Sequence, residues 1–216
     1  MKQKPVITKV LSVRVLPNAS PELLRKLKAR KGDCCLGIFT ADCDDVCYTA
    51  VDEATKKADV SVAYARSMYG GSGNASTALA GEFIGILSGP DPEEVKSGLA
   101  AAFDFIREEG FFYTANEQET VVYYAHCVSR TGTYLSKIAG IREGEALAYL
   151  IAPPLEATVG IDAALKAAAV KLKTYYGPPT ETNFAGGLLT GSQMSCQAAC
   201  DAFAEEVCRI AENPLL

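Results

Sequence analysis

Carboxylates are concentrated in one short stretch of the sequence. Three aspartates fall within Asp42-Cys43-Asp44-Asp45, and Glu82 stands at the start of an apolar run further along. A calcium loop is excluded, because valine and cysteine occupy positions where that loop needs a ligand oxygen and a glycine. Two interpretations stay open. The aspartates form a turn and accept hydrogen bonds from the local backbone, or Asp44 or Asp45 joins Glu82 in an anionic pocket for a small cation.

Side chains that support catalysis or bind metals are sparse. His126 is the single histidine, so no site with two histidines can form within one chain. A serine or cysteine nucleophile would depend on that histidine, and the G-x-S-x-G motif is absent. Among eight cysteines there is no C-x-x-C pair; Cys196 and Cys200 could share a metal, but burial in a core is commoner for cysteine. The sequence predicts no catalytic residues, no metal site, no required cofactor, and thus no enzyme.

Two loops are rich in glycine or proline. The first contains Gly70-Gly71-Ser72-Gly73 and lacks the lysine of a phosphate-binding P-loop. The second contains Pro178-Pro179-Thr180-Glu181-Thr182-Asn183, in which two prolines fix φ. We therefore expect the first loop to be mobile and the second to be stiffer. Long loops within compact domains are usually functional or disordered, so both are candidates for a functional role.

The chain contains one unit twice. The pattern D-x-A-x-K-x-A-x-V runs from Asp52 to Val60 and again from Asp162 to Val170, and the residues around it match in the same register. Further along, Gly85–Gly89 matches Gly187–Gly191 in a slightly different register, because the segment between the two matches is shorter in the second copy. Two copies are too few for a solenoid, so the sequence predicts a duplicated domain.

Each copy is predicted to run strand, short helix, strand, strand, helix, strand, loop, strand, long helix. Mixed helices and short strands indicate an α+β fold with helices on one face of a mainly antiparallel sheet. The expected domains are residues 1–109 and 110–216. The first-copy elements include a strand over 6–15, a short helix over 21–28 capped by Ser20, a hairpin of 36–41 with 46–51, and a brief helix capped by Asp52. The second copy includes strands over 158–161 and 170–176.

A segment before the short helix of the second copy offers a further candidate. Ser129-Arg130-Thr131-Gly132 precedes a helix predicted over 133–139. Backbone N–H groups at the start of a helix can bind an anion. A simple helix cap explains the segment equally well.

Composition narrows the possible partners. The 216 residues carry a net charge of −5, with 49% hydrophobic and 22% charged residues. This profile is typical of a folded domain with a sizeable core, and it gives no basic face for nucleic acid. No run approaches the length of a membrane span and no signal segment is evident. We expect a soluble protein of the reducing cytosol that binds neither nucleic acid nor membrane.

The duplicated motif resembles the signature of bacterial microcompartment shell domains, in which its lysine lies at the edge of a flat tile. The resemblance covers essentially the whole chain. Within the family, the sequence is most similar to the ethanolamine-utilisation subgroup, which has tandem, circularly permuted domains with a ferredoxin-like α/β sandwich. The specific strings are Ala41-Asp42-Cys43-Asp44-Asp45-Val46, Val128-Ser129-Arg130-Thr131-Gly132, Ala152-Pro153-Pro154-Leu155-Glu156-Ala157-Thr158 and Leu189-Thr190-Gly191-Ser192-Gln193.

The resemblance implies a structural role. It implies a homotrimer whose six domains imitate a hexamer and which tiles with other shell proteins in the cytoplasm. Lys56 and Lys166 would lie at the tile edge, and the two loops described above would line a gated central pore wide enough for a large cofactor such as cobalamin.

A ligand site is also implied, in small pores within each subunit that bind ethanolamine. By position the residues are Asp44 and Glu82, with Phe112 as a wall and with Asp45 and Thr182 as further candidates. A pair of regulatory small-molecule-binding domains and a cobalamin-handling enzyme are the competing hypotheses. The lysine placed identically in both copies favours tiling over a regulator, and the missing catalytic groups weigh against the enzyme.

Overall fold

A computed structural model describes residues 3–68, 79–178, 180 and 182–215. The chain divides into two compact units. The N-terminal unit comprises Thr8–Gly110 with Gly132–Leu135, and the C-terminal unit comprises Met1–Ile7, Phe111–Thr131 and Ser136–Leu216. Relative to the expected limits of 1–109 and 110–216, the residues before Thr8 and the segment Gly132–Leu135 each belong with the opposite half. The domain limits themselves stay a prediction.

Strand β1 (Pro5–Val6) belongs to the C-terminal unit. The N-terminal unit then follows the chain as β2 (Val10–Leu16), α1 (Pro21–Leu27), β3 (Cys35–Ala41), α2 (Asp44–Lys57), β4 (Ser61–Ser67), β5 (Phe83–Gly89) and α3 (Pro92–Glu108). Its sheet has the order β2-β3-β5-β4, and every neighbouring pair is antiparallel. Helices α2 and α3 pack against each other and contact this sheet.

The C-terminal unit repeats this plan. Its elements are β6 (Phe112–Thr114), β7 (Val122–Val128), α4 (Thr133–Ala139), β8 (Ala146–Ala152), α5 (Pro154–Ala167), β9 (Val170–Tyr176), β10 (Ala185–Gly191) and α6 (Gln193–Glu212). The first three residues of α4 are counted with the N-terminal unit. The sheet order is β1-β6-β7-β8-β10-β9, so two short strands extend the four-strand pattern.

The duplication predicted from the sequence is confirmed. Helices α2 and α5 have the same length and begin at equivalent positions of the two copies, and the short helices α1 and α4 also match each other in length. The four shared strands have the same order in both sheets. The predicted α+β class is also confirmed.

The hairpin predicted from 36–41 with 46–51 is wrong, because residues 46–51 lie in α2. Buried Val46, Ala50 and Ala54 recur at a spacing of four residues, and this spacing fits a helix better than a strand. Acidic residues in the first turn and lysines in the last turn complement the helix dipole.

Two further predictions are wrong because the residues concerned lie inside a longer helix. The strand expected over 158–161 is part of α5, in which Ala157, Ile161 and Ala164 form the buried stripe. Asp52 does not begin a helix, since it lies inside α2. Ser20 occupies the N-cap position of α1, as predicted, but its side chain makes no capping hydrogen bond.

Close packing fixes the helices on the sheets. In the N-terminal unit the rings of Phe39 and Phe83 lie 5.5 Å apart, and Phe39 meets the edge of Phe103 in α3 at 5.3 Å. In the C-terminal unit a Cβ on Gly160 would come within 2.7 Å of the ring of Phe203, so glycine allows α5 and α6 to approach closely. Within the described ranges, none of the helices combines the length and the apolar character that crossing a membrane requires.

Candidate functional site

The predicted acidic residues leave the N-terminal sheet at one edge. Ala41, the last residue of β3, pairs with Phe83, the first residue of β5. The backbone N–H of Glu82 donates to the carbonyl of Ala41 over 2.8 Å, and the N–H of Met68 donates to the carbonyl of Glu82 over 2.7 Å. This strand pairing brings Glu82 close to the start of α2, where Asp44 and Asp45 lie.

Asp44 is a buried carboxylate in the first turn of α2. Its Oδ1 accepts a hydrogen bond from the N–H of Asp45 over 2.9 Å, which is the local backbone contact expected of these aspartates. Burial raises the pKa of Asp44, and a hydrogen bond from Ser67 opposes this increase. Ser67 is held in place by Tyr48, whose hydroxyl oxygen accepts from the Ser67 N–H over 2.7 Å.

Glu82 is less buried than Asp44, and its pKa is also raised. Partial burial is the largest cause, and the charges of Asp44 and Asp42 add to it. Within the described part of the chain, no lysine or arginine forms an ion pair with Asp44 or Glu82. A cation bound between these carboxylates would relieve their mutual repulsion and stabilise their ionised forms. The structure therefore brings together two of the predicted ligand-binding residues.

The sequence did not identify the contacts of Asp52. This fully buried carboxylate accepts hydrogen bonds from the N–H groups of Gly132 (2.7 Å), Leu135 (2.8 Å) and Tyr134 (3.1 Å). Burial raises the pKa of Asp52, while these hydrogen bonds oppose the shift. The start of α4, considered above as an anion site, is thus capped by a carboxylate of the protein itself.

Comparison with known proteins decides the family. The family model of the BMC domain matches residues 35–118. The chain is 63% identical to the bacterial microcompartment shell protein EutL of Clostridium perfringens, over 100% of this chain and 99% of that protein. It is 49% identical to EutL of Escherichia coli K12, over 95% and 94% of the two chains. The crystal structure of ethanolamine utilization protein EutL from Leptotrichia buccalis matches with a TM-score of 0.96 at 62% identity, and both chains are covered completely.

The chain belongs to the EutL family of bacterial microcompartment shell proteins. The predictions of tandem, permuted microcompartment domains, of a structural shell protein and of a protein that is not an enzyme are confirmed by these relatives. The alternatives of a regulatory domain pair and a cobalamin-handling enzyme are set aside. Among the described residues, no group of three or more His, Cys, Asp or Glu side chains is placed to hold a metal ion.

In this EutL-family chain two further ligand candidates, Phe112 and Thr182, belong to the C-terminal unit. Phe112 begins β6, is buried, and stacks on Tyr124 with ring centroids 5.3 Å apart. Its ring also meets the edge of Phe184 at 6.0 Å. Thr182 is half-buried in the turn before β10. A place for Phe112 and Thr182 beside the acidic residues stays a prediction.

The predicted pore loops are described only in part. Gly70, Gly71, Ser72, Gly73, Pro179 and Glu181 lie outside the described residues. Pro178 is exposed, and the hydroxyl of Thr180 donates to the carbonyl of Phe184 over 2.8 Å. Asn183 has a φ of 61°, in the left-handed region that asparagine tolerates better than most residues. These features fit a tight turn at the end of the second loop.

The two signature lysines differ in their surroundings. Lys166 is 75% exposed and pairs with Asp162 over 2.5 Å. Lys56 is only 21% exposed and pairs with Glu53. The residue equivalent to Glu53 in the second copy is an alanine, so Lys166 uses the aspartate of the motif instead. Assignment of both lysines to the tile edge stays a prediction.

Proposed function

We propose that the chain forms a homotrimer, in which six shell domains imitate a hexamer and tile with other shell proteins around the enzymes of ethanolamine degradation. The observation that supports this is the duplicated fold in a member of the EutL family. Three such chains supply six equivalent domains, and a head-to-tail ring closes without forming a filament. Light scattering is expected to give three times the 22.9 kDa mass of one chain. A monomer at micromolar concentration would contradict the proposal.

The trimer's central pore is proposed to be lined by the loops containing Gly70–Gly73 and Pro178–Asn183. The glycine content of the first loop permits several backbone conformations, whereas the prolines restrict the second. A pore that opens by rearranging the first loop would admit a molecule as large as cobalamin. Equilibrium dialysis of cobalamin against the trimer tests this, and replacement of Gly70, Gly71 and Gly73 by proline is expected to change the bound fraction.

Ethanolamine is the proposed ligand of Asp44 and Glu82. The molecule is a cation at neutral pH, and its ammonium group would pair with both carboxylates while its hydroxyl bonds to a neighbouring polar group. The raised pKa values of Asp44 and Glu82 support the proposal, because they are typical of two carboxylates that share a partly desolvated site. A single small cation at such a site is expected to bind weakly, with a Kd of about 1 mM, which corresponds to about −4 kcal/mol.

Calorimetry with ethanolamine tests the acidic site. Asp44→Asn combined with Glu82→Gln is expected to abolish the binding heat, since both charges are removed with little change in shape. Glu117→Gln combined with Glu143→Gln is the matched control, because it removes two exposed carboxylates elsewhere. Equal binding by wild type and the Asp44/Glu82 variant would refute the site and leave the trimer proposal intact.

A further inference from the structure

The contact between α2 and the start of α4 joins two surfaces that each recur in the other copy of the repeat. Asp52 caps the segment Gly132–Leu135, as described above. The hydroxyl of Thr55, one helical turn later, accepts from the N–H of Thr133 over 3.1 Å. Leu135 is only 1% exposed, so its side chain is buried in the contact.

The same surfaces exist in the other copy of the repeat. Superposing the first residues of α2 and α5 places Asp162 at the position of Asp52 and Leu165 at that of Thr55. Superposing the first residues of α1 and α4 places Ser20–Leu23 at the position of Gly132–Leu135.

These counterparts are not covered by the residues that the structure describes. Leu23 is 40% exposed although its equivalent, Leu135, is buried, and Leu165 is 37% exposed. Asp162 is mostly exposed, and its described ion pair is with Lys166. The side chain of Ser20 forms no capping hydrogen bond to α1. Two matching surfaces are therefore exposed to solvent. One bears an acidic and an apolar residue, and the other bears an apolar residue beside the start of a helix.

Relative to the contact between α2 and α4, the two exposed surfaces differ by a pair of complementary replacements. In the covered contact, the N–H of Thr133 needs an acceptor, and Thr55 supplies one. At the open surfaces Pro21 replaces Thr133 and has no N–H, while Leu165 replaces Thr55 and has no hydroxyl. A donor and its acceptor have been replaced together by two apolar groups that can pack on each other. This substitution pattern is expected of residues that meet.

We infer that the α5 surface formed by Asp162 and Leu165 binds residues 20–23 of a second copy of this chain, head to tail. In this contact Leu165 packs against Pro21 and Leu23, and the Asp162 carboxylate accepts from backbone N–H groups of the second copy, as Asp52 does for Gly132–Leu135. The exposed pair between Asp162 and Lys166 is weak enough to be exchanged for these hydrogen bonds. The inference rests on the proposed trimer and identifies the residues that join its subunits.

A charge swap tests the contact between the two leucines. The measurement is the concentration at which half of the trimer dissociates, obtained by analytical ultracentrifugation of the full chain. Leu23→Glu and Leu165→Lys are each expected to raise it by about tenfold or more, because each buries one unpaired charge. Both changes in one chain place Glu beside Lys at every interface, and the value is expected to return to within about threefold of wild type. Met194→Glu, on the exposed start of α6, is the matched control and is expected to leave it unchanged.

The outcomes separate this inference from the proposed trimer. Wild-type association in both single variants, or no recovery in the combined variant, would overturn the paired contact while the trimer stands. A monomeric wild type would overturn both. Both leucines are partly exposed in the chain, so the variants are expected to keep the wild-type circular dichroism spectrum. Asp162→Asn is expected to weaken association as well, without changing the unfolding of the dissociated chain.

Discussion

The pKa and the hydrogen bonding of single carboxylates in this chain depend on the groups that surround them. Asp44 and Glu82 are raised in pKa mainly by burial, and Asp44 adds repulsion at Glu82. Asp52 is more deeply buried, yet its oxygens are occupied by three N–H groups. Asp44 also accepts hydrogen bonds, from the N–H of Asp45 and from Ser67, but it caps no second segment. Asp52 therefore serves the fold, whereas Asp44 and Glu82 are the carboxylates proposed to bind a cation. The residue types in the sequence are the same, and only the structure separates the two roles.

Ethanolamine binding is predicted to release protons. A bound cation stabilises the ionised carboxylates, so it lowers the pKa values of Asp44 and Glu82 that burial has raised. Affinity is therefore expected to fall as pH decreases through these raised values, which lie above 3.8 for Asp44 and above 4.5 for Glu82. Calorimetry in acetate and in MES at one pH measures the protons released. Identical binding heats in the two buffers close to pH 5, just above the ordinary pKa of a glutamate, would contradict the prediction.

The same raised pKa values predict how the fold responds to pH. The folded chain holds protons on Asp44 and Glu82 at pH values where the unfolded chain has lost them. The stability that this difference contributes is fully present at low pH. It decreases as pH rises from the pKa values of the unfolded chain through the raised pKa values of the folded chain. Asp44→Asn is therefore expected to gain stability relative to wild type as pH rises from 4 to 7. Urea unfolding at pH 4 and pH 7 tests the sign, with Glu143→Gln as the exposed control.

At the scale of elements, helices and strands with clear periodicity were predictable. The structure reproduces the expected bounds of α4 and β9. Residues 46–51 were misjudged because short runs of valine, threonine and alanine suit a buried strand as well as a buried helix. The meeting of Asp44 with Glu82 depends on the pairing of β3 with β5, which joins residues far apart in the sequence. Spacing alone could suggest this site but could not place it.

The cap that Asp52 provides for α4 is predicted to be a major stabilising contact of the N-terminal unit. Asp52→Ala leaves two buried N–H groups and one partly buried N–H group without their acceptor. The free energy of unfolding is expected to fall by about 3 kcal/mol. Asp162→Ala is the matched control at the equivalent position of the second copy. Its side chain is mostly exposed, so less than about 0.5 kcal/mol is expected in dilute, dissociated protein. Equal losses in urea unfolding of the two variants would show that the cap has no special role.

At the scale of the whole molecule, the duplication has produced two copies that are alike in fold and different in surface. Both copies share one order of strands in their sheets. Equivalent positions on α2 and α5 nevertheless differ, as in Thr55 and Leu165, or Glu53 and Ala163. Divergence at surfaces is expected when one copy meets its own chain and the other meets a different copy. A hexamer of identical domains could not carry two kinds of contact at one position, whereas a trimer of duplicated chains can.

Assembly of trimers into sheets is predicted to depend on Lys56 and Lys166. Changing either lysine to aspartate reverses a charge at the proposed tile edge, so two-dimensional arrays are expected to be lost while the trimer persists. Lys166 is the more exposed, and Lys166→Asp is expected to have the larger effect on arrays and the smaller effect on folding. Lys173→Asp, at an exposed lysine of β9, gives the same charge change elsewhere and is expected to leave arrays intact. Electron microscopy of the purified variants detects the arrays, and light scattering verifies the trimer. Arrays that persist when both signature lysines are aspartate would remove them from the tile edge.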